Sequence, residues 1–188
     1  VGICLCAREI QEFSKKYHPE IIQVLMNCIK DERSETTGFV AALETLRELL
    51  ITFQVDLSTT KSSAESIATR FLVRYSDDRN PTLRNDVKIS LQANALACLS
   101  SLVKQQPSIM DSMECIIHLF KDHRDVAVRN QAVLMIGNYI EAYWRFPGCI
   151  DKSMDCERTR KLWIELRSII FDDSSHPDTL KACIGSIR

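Results

Sequence analysis

Thiols, imidazoles and paired carboxylates are the groups in this chain with the widest chemical reach. Eight cysteines could close disulfides or hold zinc, and a structural zinc needs four ligands at short, regular spacings. No CxxC pair occurs, and Cys4/Cys6 and Cys149/Cys156 have no histidine at zinc-finger spacing. Cys115 and His118 share a helix face at i, i+3, but two ligands are too few to hold a metal. Cys28, Cys98, Cys115 and Cys183 fall instead on apolar helical stripes, where a free thiol behaves as a small hydrophobe. No metal and no cofactor is expected, and reduced thiols suit the cytoplasm or nucleus.

Catalysis would leave other marks. A G-x-S-x-G elbow, a phosphate-cradling glycine loop and an H-E-x-x-H pair are all missing from the sequence. His18, His118, His123 and His176 sit mainly at expected helix boundaries, where capping and turn roles are common. The chain therefore reads as a non-enzyme. Its 24 Lys plus Arg against 25 Asp plus Glu leave a net charge of -1, so no overall field draws it to nucleic acid or anionic lipid. One local cluster, CERTRKLW, collects Arg158, Arg160 and Lys161 with Glu157 and Glu165 interspersed. Those three bases are the candidates for nucleic-acid contact, against the plainer reading of a solvated helix face. Tyr139, Tyr143, Trp144 and Phe146 crowd the end of one helix. Most suit core packing, while Trp144 beside Arg145 is a candidate partner anchor, because Trp and Arg are frequent at interface hot spots.

Helices must hold these side chains. At 188 residues, 45% hydrophobic and 26% charged, the chain is long enough for a large core in one or two domains. Apolar residues recur at helical spacing almost throughout: Ile21, Leu25, Cys28, Ile29; Phe39, Leu43, Leu46, Leu50, Phe53; Ile67, Phe71, Leu72, Tyr75; Ile89, Leu96, Leu99, Val103; Ile109, Met113, Ile116, Ile117, Phe120; Val128, Ala132, Met135, Ile136, Tyr139; Leu162, Leu166, Ile169, Ile170; and Leu180, Ile184, Ile187. Pro19 and Pro177 suit first-turn positions, and Thr36 or Thr37, Ser62 or Ser63, and Ser108 suit caps. With the opening segment, nine helices are expected. No run of ~18 apolar residues could span a membrane, and the opening VGICLCA lacks the basic start and cleavage site of a signal peptide. The expectation is an intracellular protein, and a piece of a longer polypeptide whose remainder packs on both ends.

The helix junctions repeat. DER at 31–33, DDR at 77–79 and DHR at 122–124 recur about 45 residues apart, and Asp172 and Asp173 mark a fourth junction. Three junctions are followed by a small or hydroxyl residue, an aliphatic one and a base: Thr82-Leu83-Arg84, Ala127-Val128-Arg129 and Thr179-Leu180-Lys181. A two-helix unit of that length has apolar faces that only the next unit can cover, which is the requirement of an α-solenoid. The stretch from Asp122 to Leu134 resembles the consensus of a HEAT repeat. The resemblance implies an all-α, right-handed, armadillo-like superhelix of about four antiparallel pairs, in one domain over 1–188: a remnant helix at 1–16, then pairs at 18–53, 62–105, 108–145 and 156–188.

It also implies a ladder of acids and bases between units. Asp125 and Arg129 fit that ladder best, and Arg84 and Lys181 less completely. The second helices of such repeats usually line the concave face, which here offers Ser90, Asn94, Ser101 and Lys104 in one copy and Asn130, Asn138, Glu141 and Arg145 in another. The latter four, with Trp144, are the partner-binding candidates, together with the loop at 146–156. QVDLSTTKSS and FPGCIDKSMDC are expected to emerge as surface loops. The resemblance implies a scaffold or adaptor that binds other proteins. Its alternative is a nucleic-acid-associated subunit of a chromosome-organising or DNA-damage signalling complex.

Overall fold

Helical periodicity in the sequence becomes helix at every regular element among the described residues of the computed structural model. Residues 11–30, 36–52, 60–73, 84–110, 113, 117–118, 120–145, 154–171 and 176–185 are described, and among them there is no strand. Among the described residues seven α-helices run in order: α1 (Gln11–Lys30), α2 (Thr36–Thr52), α3 (Thr60–Ile67), α4 (Asn85–Gln105), α5 (Val126–Arg145), α6 (Met154–Ile170) and α7 (Pro177–Gly185). A π-helical segment, Ala68–Val73, continues α3, and a 3-10 turn, Pro107–Ile109, follows α4. Residues 110, 113, 117, 118 and 120 are also helical. None of the described helices is long and apolar enough to cross a membrane. The chain separates into two compact units, Val1–Cys98 and Leu99–Arg188.

In the first unit α1 packs on α2 and meets α3. The core takes Leu25, Met26 and Ile29 from α1, Phe39, Leu43, Leu46 and Leu50 from α2, Ile67, Phe71 and Leu72 from α3 and its continuation, and Leu91, Ala95 and Leu96 from α4. Each large apolar side chain buried there contributes roughly 1.5–3 kcal/mol against the entropy of ordering. Two sequence expectations are corrected. Pro19 lies inside α1 and does not start a helix; its missing N–H removes one bond of the ladder, and the turns on both sides carry the helix through. Cys28 is exposed, because the buried arc of α1 is centred on Leu25 and Ile29 and Cys28 falls beyond its edge.

The π segment, which no spacing in the sequence announces, places Arg70. With Ala68, Phe71 and Leu72 buried, Arg70 sits 4.2 Å over the Phe39 ring and 5.8 Å from the Phe71 ring, the two rings meeting edge-on at 5.7 Å. Its Nη1 donates to the Ile29 carbonyl, one of the last carbonyls of α1 and so without an intrahelical donor.

In the second unit α5 packs on α6, α7 and the 3-10 turn, and α7 on α6. Ile109, Met113, Ile117 and Phe120, then Val128, Ala132, Met135, Ile136 and Tyr139, then Leu162 and Leu166 are buried as their spacing predicts. Ser108 is not a cap: Gln106 takes the cap position with no side-chain hydrogen bond, and Pro107 opens the turn. The entry to α5 is built more fully. His123 Nδ1 accepts the Asp125 N–H at 3.1 Å, and Asp125 Oδ1 accepts from Ala127 and Val128 N–H at 2.9 and 3.3 Å, satisfying donors that a helix start leaves open. At α7 the same device recurs, with His176 Nδ1 accepting the Asp178 N–H at 3.2 Å just before Pro177.

Candidate interaction surfaces

Side chains of α4, α5 and α7 in the second unit are joined by buried-edge polar contacts. Asn138 Nδ2 donates to Ser100 Oγ at 2.7 Å and to the Ser100 carbonyl at 3.3 Å. Asn130 Oδ1 accepts from the Thr179 hydroxyl at 2.8 Å, and Arg129 donates to Thr179 Oγ1 at 3.3 Å and to the His123 carbonyl at 2.9 Å. Arg129 thus reaches a hydroxyl of α7 and the carbonyl of its own preceding turn, while the Asp125 carboxylate caps α5. Glu141 gathers Lys104 at 3.1 Å and Arg145 at 2.6 Å. Of the partner-binding candidates, Asn130, Asn138, Glu141 and Arg145 therefore all hold one another's helices or neighbours. The Trp144 side chain and residues 146–153 lie outside the described residues. Phe53 to Thr59, most of the other expected loop, lie outside them too.

The first unit has a counterpart. Arg47 Nη1 on α2 donates to Asn94 Oδ1 on α4 at 3.1 Å, and Asn94 Nδ2 donates to the Ser90 carbonyl at 3.1 Å. The sequence offered Asn94, like Asn138, as a polar residue of an expected second helix; nothing there pointed to Arg47 as its partner. Val40, Ala41, Glu44, Asp86, Val87 and Ser90 line a shallow groove of about 350 Å³ between α2 and α4. Arg84, at the start of α4, forks onto Asp86 at 3.2 and 2.8 Å and holds that carboxyl below the usual carboxylate range. Both side chains are largely in water, so the fork adds little stability. Lys181 pairs with Asp178 at 3.4 Å, again in water.

Helix α6 spreads the three basic candidates. At roughly 100° per residue, Arg158, Arg160 and Lys161 point to three different sides; Lys161 pairs with Glu157 at 3.1 Å, Arg158 is half-buried, and Arg160 is exposed. Glu165 faces the helical residues before it in the chain, 3.3 Å from His118 Nδ1 and 3.6 Å from Lys121 Nζ. Thr159, Leu162 and Leu166 are buried. Cys156, Arg160, Trp163, Ile164 and Arg167 line a third side, and all are exposed.

Among the described residues no group of three or more His, Cys, Asp or Glu could hold a metal ion. Comparison with protein-family models, curated proteins and solved structures finds no match to this chain.

The seams carry a measurable consequence. Asn138→Ala is expected to lower stability by about 1 kcal/mol, the size of one part-buried hydrogen bond. Combined with Ser100→Ala in a double-mutant cycle, urea unfolding should return a coupling of about 0.5 kcal/mol or more. Additive effects would mean the Asn138 amide gains nothing from the Ser100 hydroxyl.

Proposed function

We propose that this chain is a HEAT-like helical-repeat scaffold, a right-handed solenoid of about four antiparallel helix pairs that binds other proteins and performs no chemistry on them. The observation that supports this reading is the recurrent tie between second helices of successive expected pairs: Arg47 to Asn94 in the first unit, Ser100 to Asn138 and Asn130 to Thr179 in the second. These ties sit about one repeat apart in the sequence, and stacked repeats need such a tie at each step. Rigid stacking of this kind displays side chains at fixed intervals, so a few anchors can supply most of the binding energy.

Crosslinked affinity purification of the chain from cell extract, with and without nuclease, tests the reading. Recovery of the same few proteins after nuclease supports a protein scaffold. Collapse of recovery on nuclease treatment would replace it with a nucleic-acid-associated subunit, for which Arg158, Arg160 and Lys161 diverge too widely on α6 to form one basic row.

A further inference from the structure

We infer that the groove between α2 and α4 receives a lysine side chain of a partner protein. The inference rests on the reading of a helical-repeat binding protein and adds a location and a ligand chemistry to it. Val40, Ala41 and Glu44 of α2 form one wall, and Asp86, Val87 and Ser90 of α4 the other, around about 350 Å³. Each helix gives its three residues at i, i+1 and i+4, so each wall is about one turn tall. The core arc of α2, with Phe39, Leu43, Leu46 and Leu50, is buried. The groove opens on the side away from that arc, where Ala41 is exposed. On the repeat reading α2 and α4 are second helices of successive pairs, and a further pair stacks beside their layer instead of on top of it. Chain continuing at either end therefore leaves this groove open.

Charge selects the occupant. Glu44 is half-buried and has no ion-pair partner among the described residues. Arg47, the base of α2, is committed elsewhere: Nη1 donates to Asn94 Oδ1 and Nη2 meets Glu48 at 3.1 Å. Asp86 stays ionised, because the Arg84 guanidinium holds its carboxyl below the usual range. Lys88 lies roughly 200° around α4 from Asp86 and so turns away from the groove. Two carboxylates against one guanidinium leave an excess of negative charge, and the Ser90 hydroxyl adds an acceptor.

The walls narrow the choice further. Val40, Ala41 and Val87 offer the apolar surface that a lysine stem covers while its ammonium stays at the wet rim, among Glu44, Asp86 and Ser90. An arginine fits less well, since its planar fork seeks an unshared carboxylate and both oxygens of Asp86 already accept from Arg84. Sites for small molecules bury about 70–90% of the ligand. A groove this shallow holds one side chain whose backbone remains outside, which is the geometry of a residue on another protein. Phosphate-bearing partners are repelled by the same carboxylates that attract an ammonium.

The test is a nuclear magnetic resonance titration of the isotopically labelled 188-residue chain with lysine capped as its acetyl methylamide. Saturable shifts centred on Val40, Ala41, Val87 and Ser90 are expected, in the millimolar range that a single exposed ion pair allows. A pentapeptide with one central lysine should bind no more weakly, because its backbone lies outside the groove. Glu44→Gln keeps the shape of the wall and should weaken binding at least about threefold. Ala41→Trp, at an exposed position, should fill the groove and abolish the shifts, with an unchanged thermal melt showing the fold intact. Capped norleucine, which keeps a stem without the ammonium, should leave the spectrum unmoved. Equal binding to Glu44→Gln, equal shifts from capped norleucine, or exclusion of the pentapeptide would each overturn the inference. So would micromolar binding of free spermidine, which assigns the groove to a polyamine, or a solution dimer that Glu44→Gln converts to monomer. The scaffold reading fails on nuclease sensitivity, a different readout, so the two failures are distinguishable.

Discussion

Arg70→Ala is expected to lower the unfolding free energy of the first unit by about 3 kcal/mol, more than any other single polar substitution discussed for it. Three losses combine. The hydrogen bond from a charged donor to the Ile29 carbonyl contributes about 1.5–3 kcal/mol, and its removal leaves a carbonyl at the end of α1 without a partner. The guanidinium 4.2 Å over Phe39 adds about 0.5–2 kcal/mol, toward the upper end where water is partly excluded. The aliphatic stem also covers apolar surface next to the Phe39–Phe71 pair. Arg70→Lys should recover less than half of the loss, because an ammonium is a point donor and lacks the flat face that stacks on the ring. Arg70→Met, which keeps the stem, separates packing from charge. Urea unfolding followed by far-ultraviolet circular dichroism measures all three. A loss below about 1 kcal/mol in the alanine variant would show that the three-helix joint is held by apolar burial alone.

Arg70 also marks where sequence reading stops. The helices were legible because their apolar stripes alternate with polar faces at one period, and Phe39, Leu43, Leu46 and Leu50 are all buried as that period requires. The π segment was not legible, since Ile67, Phe71 and Leu72 satisfy an α-helical spacing equally well; the difference lies in how the backbone winds against α1 and α2. The first-turn expectation for Pro19 fails for a related reason. A proline is most comfortable in a first turn, but a long helix tolerates the loss of one ladder bond when its neighbours hold it. Cys28 shows the limit of a stripe drawn from spacing alone, where a residue at the margin of the arc can fall on either side of the boundary between core and water.

The candidate surface residues divide in the same way. Asn138 and Glu141 are polar residues of α5 that the sequence offers to a partner, and within the chain they meet Ser100 and Lys104. Polarity identifies residues that need hydrogen bonds, and only tertiary structure says who supplies them. Conversely, Trp163 was visible as a large aromatic and Arg160 as a base, but their membership in one outward stripe with Ile164, Arg167 and Phe171 emerges once Leu162 and Leu166 are seen to face the core.

Cys98 provides the second large effect, and its sign can be worked out in advance. The thiol is fully buried on α4 and donates to the Leu43 carbonyl at 3.3 Å. Burial pushes it up to about 12, opposed only in part by the positive charge of Arg47. In the unfolded chain the same thiol titrates near 9. Below pH 9 both states hold the proton, and Cys98 makes its full contribution to stability. Between pH 9 and 12 the unfolded state loses the proton while the folded state keeps it, so stability falls as pH rises, by about 1.4 kcal/mol per pH unit. The difference in unfolding free energy between wild type and Cys98→Ala should therefore be flat to pH 9 and then decline at that slope, with groups common to both chains cancelling. Alkylation gives an independent reading. Cys28 and Cys156 are exposed and open to the reagent, while Cys98 should react at least about a thousandfold more slowly than either, through unfolding of the helices that enclose it. A parallel pH dependence in the two chains, or a Cys98 that reacts as fast as Cys156, would mean that α2 and α4 open readily enough for water to reach the thiol in the folded state.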